Sequence, residues 1–109
     1  MSCSNMTVSL TAEQTMKRAT ALTRLETMLA AGTATVVIGA TGAVAFKGWQ
    51  ASDVGMVDAC VYRRLLASNS PGLRRAIARA EAVSGRKVNP QAIASGTHSH
   101  DGGKTWGSH

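Results

Sequence analysis

Thr33-Ala34-Thr35-Val36-Val37-Ile38-Gly39, then Ala40-Thr41-Gly42, then Ala43-Val44-Ala45-Phe46-Lys47-Gly48-Trp49 is the stretch on which the fold turns. The first run is β-branched, bounded by glycine and too short for a helix. The middle three residues supply a turn. The last run puts Val44 and Phe46 on one face and Ala45, Lys47 and Trp49 on the other. Two β-rich runs joined by a short glycine-containing loop predict an antiparallel hairpin. A lone hairpin is marginal in water, so this one needs a support. The apolar face of the segment before it is the nearest candidate.

That segment reads as a helix over 12–31. Thr11-Ala12-Glu13-Gln14 has the capping-box pattern, with Thr at the N-cap and Gln at N3. Glu13 suits the positive end of the helix dipole. Met16, Ala19, Leu22, Leu25 and Leu29 recur at steps of three and four and form one apolar stripe. Lys17, Arg18, Arg24 and Glu26 lie largely off it. Gly32 is a natural residue for the left-handed position that ends a helix.

Downstream, Ser52-Asp53 offers an N-cap and a first-turn acid for a second helix over 53–67. Val54, Val57, Val61 and Leu65 form its stripe, with Cys60 and Leu66 on the flank. Asp58 and Tyr62 are four apart on a neighbouring face. Gly55 weakens the pattern. Ser68-Asn69-Ser70-Pro71-Gly72 is a break, with Ser70 capping a third helix and Pro71 at its first position. Leu73, Ile77, Ala80 and Val83 give that helix an apolar side, and Ser84-Gly85 ends it. Residues 88–94 have the pattern of one more helical turn. From Ser95 to His109 glycine and serine dominate and Trp106 is the large apolar group.

The expected architecture is therefore α+β: a helix–β-hairpin–helix core with an additional C-terminal helix and flexible termini. It divides into a flexible N-terminal arm at 1–10, a single small domain at 11–87 and a flexible C-terminal tail at 88–109. A chain of 109 residues is one domain. Hydrophobic residues make up 44% but aromatic residues only 4%, so the core is built of small pieces and a finely shaped small-molecule pocket is hard to make. No apolar run approaches the roughly 18 residues needed to cross a bilayer, so no membrane contact is expected. Met1-Ser2-Cys3-Ser4-Asn5-Met6 lacks the charged and apolar regions of a secretory signal. Cys3 and Cys60 have no C-x-x-C spacing. They read as free thiols in a reducing compartment, Cys60 as a small buried hydrophobe.

The net charge is +6, and it is concentrated. Arg63, Arg64, Arg74, Arg75, Arg79, Arg86 and Lys87 fall within 63–87, opposed there only by Glu81. Such a density attracts phosphate or an acidic protein surface; it also serves as a solvated helix face. The inventory for catalysis is poor. All three histidines lie in the tail, the six acids are scattered, and no catalytic, cofactor-binding or metal-ligating set is assigned. Thr97-His98-Ser99-His100-Asp101 has spacing that a metal ion accepts, but nothing fixes the rings. Gly102-Gly103-Lys104-Thr105 ends like a phosphate-binding loop, yet His98 stands where the first glycine belongs and no helix follows. Trp106 reads as an anchor for a partner pocket, since tryptophan is enriched at interface hot spots.

The run Ala19-Thr20-Ala21-Leu22-Thr23-Arg24-Leu25 to Leu29-Ala30-Ala31-Gly32, the Val36-Val37-Ile38 strand, the turn from Gly39 to Gly42, Val44-Ala45-Phe46 and the Ser52-Asp53 helix start resemble the gpW-like head–tail joining proteins of tailed bacteriophages. The resemblance covers 11–67. It implies a structural virion protein: a head completion or connector subunit, assembled in the host cytoplasm, that forms a homo-oligomeric ring of twelve copies below the portal. Such an adaptor extends the DNA channel, touches packaged DNA non-specifically and joins portal to tail or tail-adaptor proteins. It implies no catalytic residues and no cofactor. The extra helix and the tail depart from the family pattern. Two further readings stand beside this one. A small basic nucleic-acid-binding regulator would use Arg74, Arg75 and Arg79 on phosphates, the break at 68–72 resembling a helix-turn-helix. A metal-binding chaperone would use the terminal histidines.

Overall fold

The structure, a computed structural model, describes residues 11–95, 97–99 and 102–108. The arm expected at 1–10 lies outside them. The hairpin forms as the sequence dictates: β1 (Thr35–Ile38) and β2 (Val44–Lys47) pair antiparallel, with Thr35 opposite Lys47 and Ile38 opposite Val44. The turn closes through Gly39 N–H to the Ala43 carbonyl at 2.8 Å and Gly42 N–H to the Gly39 carbonyl at 3.0 Å. Gly42 has φ +89, and a Cβ there would lie 2.4 Å from the Asn89 Cβ. Asn89 N–H donates to the Gly42 carbonyl at 2.8 Å. The turn thus needs glycine twice over, for its backbone angle and for the close approach of the chain beyond the third helix.

Helix α1 (Ala12–Ala31) has both ends where the sequence places them. The Thr11 hydroxyl accepts the Gln14 N–H at 3.1 Å, the Gln14 side chain accepts the Thr11 N–H at 3.1 Å, and Gly32 closes the helix at φ +81. Its stripe engages only in part. Leu25 and Leu29 are buried and Leu22 and Met28 pack at the core edge, whereas Met16 is 70% exposed and Ala19 is exposed. The first half of α1 runs past the core, held by the Arg18 guanidinium on the Gly55 carbonyl at 3.3 Å.

The second helix starts later than expected. A single 3-10 turn, Ala51–Val54, precedes Gly55, whose φ of +69 breaks the helical path. Helix α2 is Asp58–Ala67, entered from Val57 with no side-chain cap. Ser52 and Asp53 therefore lie inside the 3-10 turn and not at the start of α2. Helix α3 (Pro71–Ser84) matches its expectation: Ser70 accepts the Leu73 N–H, Pro71 sits in the first turn and Gly85 ends it at φ +71. Cys60 is 3% exposed and disulfide-bonded, which corrects the free-thiol reading. The chain's other cysteine, Cys3, lies outside the described residues.

The support of the hairpin also differs from the expectation. β1 packs on α3 and β2 on α2, while α1 packs mainly on α3. The reason lies in the inward side of α3, where Gly72, Leu73 and Ala76 are buried. A Cβ at Gly72 would meet the Glu26 carbonyl oxygen at 2.8 Å, so glycine lets α1 come close. One apolar cluster results, running from Leu25 and Leu29 through Val36, Ile38, Val44 and Phe46 to Val61, Leu65, Leu73 and Ile93.

Beyond α3, the described residues depart from the expected flexible tail. Helix α4 (Pro90–Ala94) buries Ile93 in the core, and β3 (Thr97–His98) pairs antiparallel with β4 (Gly107–Ser108). This ribbon lies against the outer face of the hairpin and also meets α2. A Cβ at Gly103 would meet Val37 at 2.6 Å, and the Trp106 ring lies over Gly39, 2.8 Å from where a Cβ would stand. Ala45, opposite Val37, is consequently buried although it points away from the helical side. No helix among the described residues is long and apolar enough to cross a membrane.

Candidate functional site

The seven basic residues singled out in the sequence do not form one patch. Arg63 and Arg64 are exposed on α2, with Arg64 beside a groove formed by Leu22, Thr23 and Thr27 of α1. Arg74 and Arg75 are exposed on α3, and the Arg74 guanidinium donates to the Asn69 side chain at 3.0 Å. Asn69 takes φ +58 in the turn between α2 and α3. Lys87 reaches Glu81 at 3.8 Å with 82% of its side chain exposed, a pair that water leaves nearly neutral in energy. Glu81 also accepts the Val88 N–H at 3.3 Å.

Arg79 and Arg86 do meet, at a groove between β1 and the second half of α3. Its volume is about 380 Å³, and Val36, Val37, Ile38, Ala76 and Ala80 line it with Val83. Arg86 donates to the Ile38 carbonyl at 3.0 Å. A third cation, Lys47, stands at its margin and was not among the residues the sequence singled out. The signal for it was the hairpin alternation, which turns Lys47 outward. Among the described residues no aspartate or glutamate lines this groove.

A second, smaller cleft of about 300 Å³ lies where the ribbon meets α2, with Trp49, Asp58, Ser99 and Lys104 among its walls. Asp58 is 6% exposed and accepts the Phe46 N–H at 3.3 Å. Burial pushes its carboxyl up to about 6, against the opposing pull of the Phe46 N–H and of nearby His98. His98 and Ser99 are themselves buried, and the Ser99 hydroxyl accepts the Gly103 N–H at 2.9 Å. Asp58 on α2 and His98 on β3 thus lie close together where the ribbon packs on that helix. Sequence reasoning missed it because the partners are far apart in the chain and His98 was placed in a flexible tail.

Trp106 is half-buried over the hairpin turn, and its Nε1 donates to the Gly103 carbonyl at 3.1 Å. Its seat within the chain is the hairpin turn. Among the described residues no cluster of three or more His, Cys, Asp or Glu side chains gathers to hold a metal ion; His100 and His109 lie outside those residues. Comparison with protein-family models, characterised proteins and solved structures finds nothing that matches the chain.

Proposed function

We propose that the protein is a structural assembly subunit of the head–tail joining kind, a connector that takes its place in a ring below a portal and extends the channel for packaged DNA. One observation carries this reading. Arg63, Arg64, Arg75 and Arg79 are exposed, and none of them pairs with a carboxylate among the described residues. Unanswered guanidiniums on two successive helices suit the phosphates of a DNA channel or an acidic neighbouring subunit. The order of helix, hairpin and helix supports the same reading.

The regulator reading is less well supported. The N-terminus of α3, the end that would enter a groove, is occupied by the Glu26 carboxylate. The outward face of α3 carries Arg74, Arg75, Ala78, Arg79 and Ala82, which hold phosphates but read few base edges. Co-expression with the portal protein of the same genome, followed by electron microscopy, tests the proposal. Rings on the portal are expected. A chain that stays monomeric beside assembled portals, and is absent from purified particles, overturns it. In the same samples, each Arg→Gln change on α2 or α3 should lower the salt slope of DNA binding by about 1, with no preferred duplex sequence.

A further inference from the structure

We propose that the groove between β1 and the second half of α3 is a docking site for an acidic amphipathic helix of a partner protein. The inference deepens the assembly role by naming the chemistry of one partner. It rests on that role only in holding that the chain works by contact.

The groove has an apolar floor and a one-sign rim. Val83 is 83% exposed, the most exposed of the large apolar residues among those described, and it stands one helical turn beyond Arg79 on the same side of α3. A valine so exposed adds little to the core, so its surface is available to a partner. Lys47 lies opposite Thr35 at the start of β1, and Arg86 is held at the Ile38 carbonyl at its end. The backbone positions they mark are about 10 Å apart along the strand. Two turns of helix rise about as far. An occupant with acids at i and i+7 and leucines between them meets both cations and fills the floor. The volume, about 380 Å³, suits a few apolar side chains rather than a whole backbone, which is the helix-in-groove mode. Among the described residues no acid lines the groove, and none forms an ion pair with Lys47 or Arg79.

The test is a titration of the isotope-labelled full chain with a synthetic helical peptide carrying Glu at i and i+7 and Leu at i+3 and i+4. Amide shifts should be confined to Thr35–Ile38 and to the stretch from Arg79 to Arg86. Val83→Asp and Arg79→Glu change exposed side chains, and each should weaken binding about tenfold or more. Lys17→Glu, an equal charge change on α1, should not. Melting curves confirm that the variants fold. Several results overturn the proposal: no binding, shifts spread over α2, binding indifferent to Val83→Asp, or equal binding of the peptide with Lys in place of Glu. Duplex DNA displacing the peptide from the same amides assigns the groove to phosphate instead. Groove amides that shift on dilution of the protein alone assign it to a second copy. Peptide failure leaves the ring on the portal to be judged by its own micrographs.

Discussion

The Glu26 carboxylate, on α1, accepts the backbone N–H of Gly72, in the first turn of α3, at 2.9 Å. Its other oxygen accepts the Ser70 hydroxyl, and that hydroxyl in turn accepts the Leu73 N–H. A negative charge at a helix N-terminus is favourable, and here it comes from a different helix. One side chain therefore caps α3 and sets how α1 crosses it.

Glu26→Ala should cost about 1–2 kcal/mol, read as a lower urea midpoint with an unchanged slope. Glu26→Gln keeps an acceptor for the Gly72 N–H and loses the charge, so it should cost less. Equal losses for the two variants would mean that packing, and not capping, is what Glu26 provides.

Gly42 and Gly85 share the left-handed backbone region but not their surroundings. A Cβ at Gly42 would strike Asn89, whereas one at Gly85 would meet nothing within 4 Å. Gly85→Ala should cost about 1–2 kcal/mol from backbone strain alone. Gly42→Ala adds the overlap, and its total should exceed about 3 kcal/mol. Thermal melts of both variants compare the two directly.

The Asp58 carboxyl, raised from 3.8 to about 6 in the fold, holds its proton more readily when folded than when unfolded. Its contribution therefore favours the folded state most at pH below about 4 and is lost as pH rises through 6. The loss is on the order of 3 kcal/mol. Asp58→Asn should flatten this part of the stability profile while its amide oxygen still accepts the Phe46 N–H. A wild-type profile with no decline between pH 4 and 6 that Asp58→Asn removes would contradict the assignment.

Trp106→Ala removes the ring that covers Gly39 and should cost about 2 kcal/mol. Its mark should be local. Amide exchange should rise at 97–99 and 102–108 and at the hairpin turn, with little change in α1. If exchange there is already fast in the unaltered chain, the ribbon is not docked as described.

Local signals were the legible ones. The Thr11 to Gln14 box, Gly32, the Ser70-Pro71 start and the alternation of 35–47 each concern neighbours within a few residues, and each holds in the structure. Most of the failures involve distance, and one is a local backbone effect. Ser52-Asp53 carried a cap signal, but Gly55 takes a left-handed angle and delays α2 to Asp58. The glycines from Gly102 onward read as looseness, yet Gly103 is what lets the ribbon approach Val37. Lys47 and Arg86 border one groove because the hairpin and the end of α3 meet, which no local pattern encodes. The disulfide at Cys60 carries no spacing signal at all.

The central place of α3 limits how far this chain can be trimmed. It touches α1, β1 and α2, so a fragment ending at 67 would keep two helices and a hairpin yet lack the surface they share. Leu25, Leu29, Val36 and Ile38 would then face water together, and such a fragment should collect into aggregates. Helix α3 is the axle on which the other parts are mounted.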